Sequence, residues 1–217
     1  MLNWFKNKEI DRVNLDEIGW KSREKNSDVK VWDNDVGDVL SLNFFDKKPD
    51  IPVSLSNITE LRNFYRKMVA DAGGGVIKIE LIKIKELQAI ENIFKMPMQP
   101  SGMIYVASFT IPFRDKSYVI KLQCPEQGIT GERDSVVFAS FANFDDEDDE
   151  DFNPFKGWLK DPYDASLTDG LFMNLSEDEQ YDEKFPNHPL TRARKHLRHI
   201  KNTISFDEKL FDLPFFE

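Results

Sequence analysis

The sequence predicts an α+β fold, a central antiparallel β-sheet flanked by helices, and three stretches carry that expectation. Two strand-like runs flank a turn cluster, an N-capped amphipathic segment follows, and four β-rich runs then succeed one another with short polar breaks. The chain has 217 residues, 40% hydrophobic and with 18 Phe, so it can bury enough apolar surface to offset chain entropy. A globally disordered chain is excluded.

Residues 1–28 carry scattered apolar positions among charges and suggest a short helix at most. Val29 to Trp32 and Val39 to Phe45 then flank Asp33-Asn34-Asp35-Val36-Gly37-Asp38, the pattern of a hairpin, with Leu40, Leu42 and Phe44 on one face. Asn57 stands as an N-cap with Glu60 three residues on. Ile58, Leu61, Phe64, Tyr65 and Met68 recur at helical spacing until Gly73-Gly74-Gly75 ends the helix. Val76 to Ile84, Ala89 to Lys95, Met103 to Phe113 and Ser117 to Gln123 follow as strands of an antiparallel meander. The first of them is expected to place Ile77, Ile79 and Leu81 on one face. A second helix spans Asp134 to Phe141, starting near Thr130 or Gly131.

The composition then changes abruptly. Asp145-Asp146-Glu147-Asp148-Asp149-Glu150-Asp151 is a pure acidic run, and Asp145 to Glu183 holds 15 acidic residues against two Lys. That segment carries −13 of a net charge of −10, which leaves +3 for the rest. Ser176 and Glu179 suggest a capping box for a short helix, and Pro189 opens a longer one to about Thr203. On it Leu190, Leu197, Ile200 and Ile204 face protein, while Arg192, Arg194, Lys195, Arg198 and Lys201 face solvent. These shifts divide the chain into an N-terminal segment 1–28, an α+β core 29–143 and an acidic wrapping segment with a terminal helix, 144–217. Together they are expected to form one structural unit.

The order hairpin, helix, antiparallel strands, helix resembles the PsbP-like fold of small bacterial lipoproteins, photosystem extrinsic proteins and Mog-type Ran-binding proteins. The likeness rests on Gly37-Asp38-Val39-Leu40-Ser41-Leu42, the helix around Leu61 to Met68, Gly102 to Pro112, and Gly128-Ile129-Thr130-Gly131-Glu132-Arg133, within residues 29–143. It implies an α/β/α sandwich and a protein-binding role, and it transfers no functional residue. The acidic run and the terminal helix lie outside the shared layout, and neither an export signal nor a lipid-attachment cysteine is expected.

No apolar stretch approaches the roughly 18–20 residues of a membrane span, and the N-terminus lacks the features of a secretory signal. With a single cysteine, Cys124, the chain reads as bacterial and cytoplasmic. The acidic run lacks the glycine-kinked spacing of a Ca²⁺ loop and reads as a solvated loop. His188, His196 and His199 fall within twelve residues, but their basic neighbours oppose a dication, so no metal and no cofactor is expected. Cys124 reads as a buried thiol, and Gly128 to Gly131 as a turn into a helix rather than an anion cradle. The basic helix is expected to pair with the acidic segment inside the molecule, and nucleic acid is not expected as a partner.

The function expected is therefore a non-catalytic module that binds a basic partner protein in an adaptor, chaperone or immunity-type role. Asp145, Asp146, Glu147, Asp148 and Asp149, with Trp158 and Tyr163 as aromatic anchors, form the expected contact surface. Two other readings stay open. One is a ligand-binding protein or enzyme with a dispersed site, such as Arg114, Arg133, Tyr105 and Glu132. The other is self-association through Phe211-Asp212-Leu213-Pro214-Phe215-Phe216.

Overall fold

The computed structural model describes residues 8–142, 153–168 and 170–217. A 3-10 turn at Glu9–Arg12 leads into the short β1 (Val13–Asn14), and β2 (Lys21–Lys25), β3 (Val29–Asp33) and β4 (Val39–Phe45) then form a meander. At the β3–β4 turn Gly37 takes φ 76°, a value a Cβ disfavours. Asn34 Oδ1 closes that turn by accepting from the amides of Val36 and Asp38 at 3.1 and 2.9 Å. The cap read at Asn57 is present: its side chain accepts from the Glu60 amide at 3.2 Å and starts α1 (Ile58–Asp71).

β5 (Gly75–Ile84), β6 (Leu87–Pro97), β7 (Met103–Pro112) and β8 (Ser117–Pro125) follow, and then α2 (Glu132–Phe141). β9 (Leu159–Lys160) pairs with β10 (Met173–Asn174). After α3 (Pro189–Thr203), β11 (Ser205–Phe206) returns to pair with β1. The main sheet has seven strands in the order β2-β3-β4-β8-β7-β6-β5, every neighbour antiparallel. The fold is α+β.

Two apolar layers clothe this sheet. On one face Leu190, Ala193, Leu197 and Ile200 of α3 join Leu40, Leu42, Ala107, Phe109, Ile120 and Leu122. On the other, Leu61, Tyr65 and Val69 of α1 meet Val76, Ile79, Ile90 and Phe94, with Phe216 of the tail inserted among them. β6 serves both layers, since Ile93 enters the first cluster and Ile90 and Phe94 the second.

Several local expectations are corrected here. The segment before Val29 holds an edge strand, β2, whose five side chains are all exposed; its charges pair with neighbours, as in Lys25–Glu17 at 2.9 Å, and such charges deter further strand pairing. Ile77 does not share a face with Ile79 and Leu81. A bulge between Val76 and Lys78 turns Ile77 toward the α3 side, while Ile79 and Leu81 stay with α1. The capping box lies at Asn174 and Glu177 rather than at Ser176 and Glu179, and it starts a 3-10 turn, Leu175–Glu177, followed by another at Glu179–Tyr181. The solvent face assigned to α3 is also incomplete, because Arg194 is buried and Arg192 is tied to buried Asp38.

Among the described residues no helix is long and apolar enough to cross a membrane. The phenylalanine-rich tail folds back onto the core: Phe216 is buried and Phe215 stacks on Phe113 with ring centroids 6.2 Å apart.

Candidate functional site

The acidic segment is fastened to the domain at three places, each built from residues distant in sequence. At the first, Trp158 lies 5.0 Å from Phe138 and 5.7 Å from Phe141 of α2, centroid to centroid, and Phe155 stacks on Phe138 at 4.9 Å. Trp158 is only 7% exposed, so its indole is occupied within the molecule and is not presented as a partner anchor.

Tyr163 forms the second fastening, over the free edge of the sheet. Its hydroxyl accepts from the Ile79 amide at 2.6 Å, and its proton can reach Ile79 O at 3.0 Å or Glu80 Oε1 at 3.2 Å. The guanidinium of Arg62 lies 3.7 Å above its ring. Beside it, Asp161 takes a two-pronged bond from Arg66 at 2.8 and 2.9 Å. Burial raises the Asp161 pKa, but the Arg66 bond and the backbone amides outweigh it and hold the carboxyl below its usual range. The crossing is close: a Cβ on Gly75 would stand 1.9 Å from Leu171 O. Tyr163 thus covers β5 backbone groups that would otherwise template strand addition. Tyr163→Phe is expected to lower the unfolding free energy by about 1–2 kcal/mol, read from the urea midpoint. A loss under about 0.5 kcal/mol would show that water replaces the hydroxyl without cost.

The third fastening is a buried charge network around residues 174–182. Glu177, 1% exposed, accepts from Lys95 Nζ at 2.7 Å, the Tyr105 hydroxyl at 2.7 Å and the Asn174 amide at 2.8 Å. Asp182 Oδ1 accepts from Arg133 at 3.1 Å, Arg194 at 2.8 Å and Thr191 at 3.2 Å. The carbonyls of Ser176, Glu177 and Asp178 complete the two guanidiniums: Arg133 donates to the first and third, Arg194 to the second. Ser176 also bonds Asp134. One short stretch therefore joins α2, α3, β6 and β7. The expected pairing between the basic helix and the acidic segment is present in Arg194–Asp182 and in Arg198–Glu179 at 2.6 Å.

The histidines point to different partners. His188 caps α3, accepting from the Leu190 amide at 3.3 Å, while His196 lies 3.3 Å from Asp38 and His199 3.0 Å from Asp16. Among the described residues no group of three or more His, Cys, Asp or Glu is placed to hold a metal. Burial pushes the Asp38 carboxyl up, yet hydrogen bonds from His196 and Arg192 outweigh it and bring its pKa to about 2. Burial likewise raises the Cys124 thiol above its ordinary range, which leaves it unreactive at neutral pH.

The dispersed set does not converge as a whole. Tyr105 and Arg133 both approach His188, with ring centroids 5.4 Å apart for the first and an N–N distance of 3.4 Å for the second. Arg114 follows the far end of β7, where its amide bonds Pro214 O at 3.0 Å. The Gly131 amide, which an anion would need, is taken by Glu126 at 2.7 Å.

Asp145, Asp146, Glu147, Asp148 and Asp149 lie outside the described residues. In sequence the run falls between α2, which ends at Phe141, and Phe155, whose ring stacks on Phe138 of α2. Sequence reasoning missed Lys95 and Glu177. The available signal was a lysine at the end of Ala89 to Phe94, a strand with Ala89 and Ile93 on one face and Ile90 and Phe94 on the other.

These features define an α+β protein whose acidic segment is stapled to a seven-stranded sheet. No family model matches the chain, and no curated protein does either. Among solved structures, a chain from Bacteroides thetaiotaomicron is similar at 10% identity with a TM-score of 0.36. The similarity covers 55% of this chain and 41% of that one, too slight to carry an argument about either fold or function.

Proposed function

We propose that the protein is a non-catalytic binding module whose acidic run, Asp145 to Asp151, engages a basic surface of a partner protein, in an adaptor, chaperone or immunity-type role within a bacterial cytoplasm. One observation carries this reading: every described carboxylate from Asp161 to Asp182 already accepts a hydrogen bond inside the molecule. Glu183 apart, the described acids of the segment are engaged internally, and outside recognition is proposed for the seven consecutive carboxylates of the run. Phe155, stacked on Phe138 of α2, and Trp158, edge-on to the same ring, anchor the chain just after it. A dense negative run steers a basic surface toward it and disfavours nucleic acid. The PsbP-like likeness belongs to the same proposal and is supported by α1 and α3 lying against opposite faces of the sheet.

The test is affinity capture from the native cell at low and at moderate salt, using the wild type and a variant with Asp145 to Asp151 reversed to Lys. A basic protein recovered with the wild type, weakened by salt and lost with the variant, is the expected result. Recovery that is insensitive both to salt and to the reversal would overturn the proposal.

A further inference from the structure

Between α3 and the bulged corner of β5 and β6 lies a cleft of about 440 Å³, within the range of roughly 300–1,000 Å³ typical of small-ligand pockets. Phe109, Leu197 and Met173 supply an apolar floor. The rim carries five cations, Lys78, Lys160, Arg194, Arg198 and Lys201, against three carboxylates, Glu91, Asp178 and Glu179.

Two of the three carboxylates are already paired with cations. Glu91 pairs with Lys78 at 2.8 Å, Glu179 with Arg198 at 2.6 Å, and Asp178 caps the Gln180 amide at 3.1 Å. Arg194 is held by Asp182 and by Glu177 O. Among the described residues, Lys160 and Lys201 have no carboxylate within ion-pair distance. The bulge is what turns Lys78 and Ile77 toward the same side, so the opening is built by a local irregularity of an edge strand.

We propose that this cleft binds a small organic anion, a carboxylate or phosphate ester on a compact apolar body, with its anionic end held by Lys160 and Lys201. With the paired groups set aside, Lys160 and Lys201 stand against Asp178 alone, which selects an anion over a neutral ligand, and the apolar floor separates an organic anion from an inorganic one. This site is independent of the acidic run, and either proposal stands if the other fails.

The test is a titration of the full chain, followed by backbone amide NMR, with phenyl phosphate and benzoate as probes and benzyl alcohol as the neutral control of similar size. Both anions are expected to give saturable shifts centred on β5, β10 and the end of α3, and benzyl alcohol only weak ones. Lys160→Glu with Lys201→Glu is expected to weaken phenyl phosphate by about tenfold or more, whereas Lys67→Glu, on the exposed face of α1, leaves it unchanged. Unsaturable shifts scattered over surface lysines, or a double reversal that changes affinity by less than about twofold, would overturn the proposal. Equal binding of benzyl alcohol would overturn it as well.

Discussion

Asp182→Asn is expected to destabilise the protein by about 3–5 kcal/mol, because it removes the one carboxylate shared by two buried guanidiniums. Arg133 is 1% exposed and Arg194 9%, so neither can turn to water for a replacement partner. The carbonyls of Ser176, Glu177 and Asp178 would remain as acceptors, but they carry no net charge to offset two cations. Asn keeps the shape, so the loss reports charge rather than a cavity. Urea unfolding measures it directly: the midpoint falls while the slope is retained. A loss below about 1 kcal/mol would mean that the carbonyls alone hold the two arginines.

Acid is expected to weaken the fold well before the ordinary carboxylates protonate, and His188 is the cause. Burial, reinforced by the charges of Arg133, Arg192 and Arg194, lowers its pKa from 6.5 to about 3. Between those values the unfolded chain binds a proton that the folded chain refuses, so stability falls as pH drops below 6.5. From pH 7 to pH 4.5 the loss from this residue is about 2–3 kcal/mol. Asp38 acts later and in the same direction: its carboxyl, brought to about 2, contributes stability above its unfolded value near 3.8 that disappears as pH falls through 2. His188→Asn preserves a cap for the Leu190 amide and removes the imidazole. The variant should therefore lose most of the slope between pH 6.5 and 4.5 in a series of urea midpoints. An unchanged slope would assign the acid sensitivity to other groups.

Much of the fold was legible because its signals are local. Asn57 with Glu60, the period of Leu40, Leu42 and Phe44, and the turn at Gly37 each act over a few residues, and each element formed where those signals stood. What escaped was set by partners far away in the chain. Lys21–Lys25 has no alternation to read and is a strand only because β3 pairs with it and acids such as Glu17 and Asp33 answer its cations. Arg194 sits on a helix face that looks solvated until Asp182 is placed beside it. Trp158 and Tyr163 stand among carboxylates, as interface anchors do, yet Phe138 and the edge of β5 lie where they land. The three histidines are close in sequence and separate in space, because Asp38 and Asp16 draw two of them to different neighbours while His188 caps the helix.

These particulars divide the acidic segment by role. Glu177 and Asp182 hold the domain together, and under our proposal Asp145 to Asp151 meets a partner. The measurement that tests this division most directly is thermal unfolding and partner capture on one preparation of a variant with Asp145 to Asp151 changed to the matching amides. The account predicts a melting temperature within about 2 °C of the wild type, as for surface substitutions, together with loss of the captured basic protein. A retained partner, or a fold that melts as early as Asp182→Asn, would contradict it.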